Sequence, residues 1–176
     1  PTSGNKLFPV FLKLEQFDVL IVGGGYVGME KITAVLRNSP ATRITLVGSV
    51  ISDENRAFAA DYEQVVLLEK PFDRSDLLGK QFVIAATDDA FVNRQIKALA
   101  SARGILTNVA DTPHLCDFYL SSVVQKGDLK IAISTNGKSP TIAKRLKETF
   151  QETLPGELDD LLQHMPQIRQ KLAGDF

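Results

Sequence analysis

Short apolar runs alternate with segments of helical spacing through the first two thirds of the chain. Asp18-Val19-Leu20-Ile21-Val22 is apolar after its first residue and ends in a glycine cluster, the composition of a parallel strand buried on both faces. From Tyr26 to Asn38 the apolar residues Val27, Ile32, Val35 and Leu36 recur near the helical period, and Pro40 stops the element. The same reasoning predicts strands over residues 43–47, 64–68, 81–86 and 104–108, with helices over 52–62, 73–78 and 89–102 between them. Strands alternating with helices on short loops give an α/β fold with a doubly wound, Rossmann-type parallel sheet.

The alternation then breaks. Residues 118–124 and 129–134 are strand-like runs joined by Gln125-Lys126-Gly127-Asp128, which has hairpin composition. A helix is expected over 141–153, then Pro155-Gly156, then an amphipathic stretch from Glu157 onward. With the boundary set near residues 111–115, the expected parts are a Rossmann domain (1–112), a small hairpin-and-helix region (113–153) and the start of a helical tail (154–176).

Composition narrows the class. Of the 176 residues 44% are apolar and 23% charged, as in a globular protein, and no apolar run approaches the roughly 18–20 residues of a membrane span. The opening Pro1-Thr2-Ser3-Gly4-Asn5-Lys6 reads as a trimmed start, without the apolar core of a signal peptide. Cys116 is the single cysteine, which excludes an internal disulfide and fits a reducing cytoplasm. A net charge of −1 argues against nucleic-acid or anionic-membrane binding. Between Gln125 and Lys147, however, six cations (Lys126, Lys130, Lys138, Lys144, Arg145, Lys147) and one anion (Asp128) give +5, so the rest of the chain carries −6. Such a window is either a solvated face or the rim of a site for a polyanionic small molecule.

Gly23-Gly24-Gly25-Tyr26-Val27-Gly28 satisfies G-x-G-x-x-G between the first expected strand and helix, the context that makes it a dinucleotide fingerprint. Gly23 permits the turn, Gly25 lets a pyrophosphate approach, and Gly28 lets helix and strand pack closely, with the anion on the helix N–H groups around Tyr26 and Val27. The acid expected about 20 residues on is missing, since Val47-Gly48-Ser49 stands there. The ribose 2′-hydroxyl then falls to backbone groups or Ser49, and the absence of an Arg at that place favours NAD over NADP.

Four stretches together resemble the precorrin-2 dehydrogenase family, which includes the N-terminal module of sirohaem synthase. They are Phe8-Pro9-Val10-Phe11-Leu12, the Val22–Gly28 loop with Glu30-Lys31, and Ala85-Ala86-Thr87-Asp88-Asp89 with Val92-Asn93. The fourth is Asn108-Val109-Ala110-Asp111-Thr112-Pro113, running on to Ile133-Ser134-Thr135-Asn136-Gly137-Lys138-Ser139-Pro140. It is the most specific of the four. The resemblance spans about residues 7–150.

It implies a Rossmann domain, an intertwined dimerisation region and a helical tail. It also implies an enzyme that oxidises precorrin-2 to sirohydrochlorin with NAD in sirohaem biosynthesis. Asp111 matches the family's key catalytic carboxylate, with a turn Asp bonding its own backbone as the competing reading. Thr87 and Asp88 are implied near the nicotinamide ribose, although Asp88 or Asp89 also suits a helix cap. Thr135, Asn136, Gly137, Lys138 and Ser139 are implied for the substrate, whose eight carboxylates suit the basic window; Lys138 replaces a usual small residue. Open N–H groups at Ser139-Pro140 would take one carboxylate, with Lys126, Lys138, Lys144 and Arg145 as partners for others. Gly28 stands where some relatives carry Ala. His114 with Asp111 lacks a third ligand and makes no metal site. In the expected homodimer Phe118, Tyr119, Leu120 and Ile131 pack across a two-fold axis. Two other readings compete: a dehydrogenase that is also a ferrochelatase, and a regulatory dinucleotide-sensing domain without chemistry. The second leaves Asp111 and the basic window unexplained.

Overall fold

A computed structural model describes residues 4–171, so the last five residues of the expected tail lie outside the described residues. The described residues divide into two compact units, residues 10–120 and residues 121–171 with residues 4–9.

The larger unit is a five-stranded parallel sheet of order β3-β2-β1-β4-β5. Its strands are β1 (Asp18–Val22), β2 (Arg43–Gly48), β3 (Val65–Glu69), β4 (Phe82–Ala85) and β5 (Leu106–Val109), and its helices α1 (Tyr26–Asn38), α2 (Asp53–Ala59) and α3 (Ala90–Ser101). Alternate residues of each strand face opposite sides. On one side Val19, Ile21, Ile44, Leu46 and Ile84 pack with Ile32, Val35 and Leu36 of α1. On the other, Leu20, Val22, Val47, Val83 and Ala85 pack with Ile96 and Ala100 of α3. Leu20 and Ile21 are fully buried on opposite faces, each worth roughly 1.5–3 kcal/mol of transfer free energy. Helices on both faces make the sheet doubly wound, and its order reverses between β1 and β4. At the start of the sheet Arg43 pairs with Asp18, its register partner, at 2.9 Å and holds that carboxyl below its usual range.

β5 is an edge strand, and the chain covers it with its own side chains. Asp117 donates its N–H to the Thr107 carbonyl at 2.8 Å and accepts the Thr107 N–H at 2.9 Å. The Cys116 thiol accepts the Val109 N–H at 3.2 Å, and the Asn108 amide donates to the Phe118 carbonyl at 2.9 Å. This changes the expected strand over 118–124. The partly buried Phe118 ring lies edge-on to Phe82 at 5.6 Å, inside its own sheet domain. Tyr119 likewise points its hydroxyl at the Pro113 carbonyl, 3.2 Å away.

In the smaller unit β6 (Ser122–Lys126) and β7 (Leu129–Ile133) form an antiparallel hairpin, followed by α4 (Pro140–Thr153) and α5 (Leu158–Lys171). The turn is shorter than expected, Gly127-Asp128 alone, with Gly127 at φ +51°. Asp159 of α5 accepts the Asp128 N–H at 3.1 Å, and Lys126 donates to the Leu154 carbonyl beyond the end of α4. The expected helix over 73–78 is one 3-10 turn, Arg74–Leu77, closed by a capping box between Asp73 and Asp76. Among the described residues no helix is long and apolar enough to cross a membrane.

Candidate active site

The glycine loop is built by close backbone packing at the carboxyl end of the sheet. Gly23 sits at φ +130° and donates its N–H to the Val47 carbonyl at 2.8 Å. A Cβ on Gly23 would overlap the Ala86 carbonyl, one on Gly24 the Val50 carbonyl, and one on Gly28 the Gly23 carbonyl. Gly25 is different, because a Cβ there would enter open space. It is also the N-cap of α1, and no side chain caps the helix. The first N–H groups of α1 are therefore left for an anion, beside the one glycine of this loop whose missing side chain leaves a gap. That arrangement fits a dinucleotide pyrophosphate. Tyr26, the first residue of the helix, is exposed next to it, and Val27 is partly buried.

Sequence reasoning missed the residue that fixes the loop's orientation. Asn55 is fully buried, and its amide donates to the Gly24 carbonyl at 2.9 Å and the Gly25 carbonyl at 3.1 Å. The Ser52 N–H adds a second bond to the Gly24 carbonyl at 2.9 Å. With these carbonyls held inward, the N–H groups that follow face out. The only signal in sequence is Ser52 three residues before Asn55, which reads as an ordinary helix cap, and Ser52 does accept the Asn55 N–H.

At the end of β4 the Thr87 hydroxyl donates to Asn93 at 2.7 Å, while the Asn93 amide donates back to the Thr87 carbonyl at 2.9 Å. Asp89 caps α3 by accepting the Phe91 and Val92 N–H groups at 2.7 and 3.3 Å. The capping reading therefore falls to Asp89, and Asp88 is exposed beside it.

Among the described residues two positions beyond the glycines adopt left-handed backbone, and both are expected site residues: Asp111 at φ +54° and Asn136 at φ +56°. Asp111 follows β5, so it stands at the same end of the sheet as the glycine loop. Its carboxylate is exposed and takes no hydrogen bond from a described residue, so it does not serve the local turn. That turn is closed by the Thr112 N–H to the Val109 carbonyl at 3.2 Å. His114 is exposed on the 3-10 turn Pro113–Leu115. The Cys116 thiol, half-buried against β5, is pushed up by burial, which keeps it protonated and inert.

In the smaller unit Asn136 and Gly137, at φ +56° and +72°, form a tight turn closed by the Lys138 N–H to the Thr135 carbonyl at 3.1 Å. The Thr135 hydroxyl donates to the Ser139 carbonyl at 3.1 Å, and Asn136, Gly137 and Lys138 are exposed at the tip. The expectation of open N–H groups at Ser139-Pro140 is reduced. Ser139 accepts the Ile142 N–H with its own hydroxyl at 3.2 Å, and Pro140 has no N–H. Lys126, a candidate partner for substrate, is engaged with Leu154.

Gly25→Asp places a carboxylate where the pyrophosphate approaches, in space that accepts a side chain. The chain keeps its circular dichroism and melting temperature, and calorimetry should find NAD binding lost. Unchanged affinity would put the cofactor elsewhere.

The family model described as "Putative NAD(P)-binding" matches residues 10–122, and a second, "Sirohaem biosynthesis protein central", matches residues 126–152. Siroheme synthase of Psychrobacter cryohalolentis is 38% identical over 96% of this chain, and that of Nitrosococcus oceani is 32% identical over 96%. The chain spans only 30% and 36% of those two proteins, about a third of their length. Among solved structures, SirC, a precorrin-2 dehydrogenase, superposes with a TM-score of 0.74 at 28% identity, covering 93% of this chain and 79% of that one. With the glycine loop, the five-stranded sheet and both matches in agreement, the chain belongs to the NAD(P)-binding family that siroheme synthases and precorrin-2 dehydrogenase share.

Proposed function

We propose that this chain oxidises precorrin-2 to sirohydrochlorin with NAD, using Asp111 as the base. The observation that carries the reading is the Asp111 carboxylate, free of local bonds and held in left-handed backbone at the carboxyl end of the sheet that carries the glycine loop. Non-glycine residues adopt that conformation at a cost, and such positions cluster at functional sites. NAD supplies the hydride acceptor. The uncapped start of α1 holds its pyrophosphate and Asn55 keeps the loop carbonyls turned inward. The macrocycle loses a hydride and a proton, and the Asp111 carboxylate takes the proton at an oxygen. In the smaller unit Thr135 to Ser139, with Lys144 and Arg145 on the first turns of α4, are polar and cationic groups of the kind that bind carboxylates.

Asp111→Asn tests the role. Asn tolerates left-handed backbone as well as Asp does, so the turn is preserved while the base is lost. Turnover should fall by about 10²–10⁴, with NAD affinity within a few-fold of wild type. Turnover within about three-fold would remove Asp111 from the chemistry.

The reading includes a homodimer. Ile142, Leu146 and Phe150 form an exposed stripe at four-residue spacing on α4, an apolar face that a second copy would cover. Light scattering at micromolar concentration should give twice the chain mass, and a monomer would contradict the dimer.

A further inference from the structure

We propose that Glu69 is the ribose-binding acid of this site, supplied by β3 rather than β2, and that its charge selects NAD over NADP. The inference rests on the dinucleotide site described above. In this fold an acid at the end of β2 ordinarily binds the 2′-hydroxyl. Here β2 ends at Gly48, where a side chain cannot fit, because its Cβ would lie 2.7 Å from the Gly24 nitrogen in the glycine loop. Gly48 is in register with Glu69, the last residue of β3. Register partners in a parallel pair project to the same face, so Glu69 lies one strand over on the side where the acid is needed.

The carboxylate also leans toward β2. Its Oε1 accepts the Ile51 N–H at 3.0 Å, in the loop that follows β2, and pairs with Arg56 of α2 at 2.7 Å. The Ile51 N–H first, and then Arg56, hold Glu69 below the usual carboxylate range, so it is ionised at neutral pH. Both contacts use Oε1. Oε2 has no partner among the described residues, and the side chain is 47% exposed. Oε2 is thus a charged acceptor one strand over from Gly48, suited to a ribose hydroxyl and repulsive to a 2′-phosphate. Arg56, the cation beside this carboxylate, is paired with it.

Glu69→Gln keeps an acceptor for the Ile51 N–H and removes the charge. Calorimetry on the whole chain with NAD and with NADP should show wild type preferring NAD. In Glu69→Gln that preference should shrink by about tenfold or more, through weaker NAD and tighter NADP binding. Arg56→Ala leaves the charge in place and should keep or raise the preference for NAD. A purely structural Glu69 would weaken both dinucleotides by the same factor, and an unchanged ratio in Glu69→Gln overturns the proposal. So does a wild type that prefers NADP. A wild type that binds neither dinucleotide overturns the cofactor site itself, and Glu69 with it.

Discussion

Backbone packs directly on backbone where β1, β2 and β4 end, and the site depends on that packing. The space a side chain would need at Gly23 is filled by the end of β4, at Gly24 by the loop after β2, and at Gly28 by Gly23 itself. Three chain segments meet with no side chain between them, so the turn has one available path. That path starts α1 at Gly25 with its first N–H groups uncapped, and Asn55 locks the facing carbonyls. The helix dipole and open donors then come from geometry fixed before any ligand arrives, which is what preorganised anion binding requires. The same crowding at Gly48 bars an acid from β2 and gives Glu69 its opening.

A second constraint acts at the β5 edge of the sheet. β5 is an edge, and Cys116 and Asp117 satisfy its free backbone groups with side chain and main chain, while the Phe118 carbonyl accepts the Asn108 amide. For the chain to return along β5 so soon after leaving it, it must turn sharply over residues 110–115. Asp111 takes the left-handed position in that turn without contributing to its bonds. The edge is therefore protected by a device that also presents a carboxylate at the mouth of the sheet.

Much of this was legible in the sequence. Strands buried on both faces read as unbroken apolar runs, so β1, β2 and β4 were placed within a residue or two, and the glycine spacing located the loop. Phe118 was misread because an aromatic residue before a strand looks like part of it. Only the fold shows that its ring belongs with Phe82. Asn55 and Glu69 were not legible as site residues, since their roles come from carbonyls and N–H groups brought near by parallel pairing and leave no side-chain pattern. Ser139 was half legible: the sequence marks a helix start, but not that its own hydroxyl fills the donor left for substrate.

The proposed dehydrogenation runs on this sheet, its glycine loop and Asp111. Anaerobic incubation of the chain with precorrin-2 and NAD, followed by absorbance of both the tetrapyrrole and NADH, tests it most directly. Sirohydrochlorin and NADH should appear in equal amounts and with catalytic turnover. A chain that binds NAD yet leaves the precorrin-2 spectrum unchanged would contradict it.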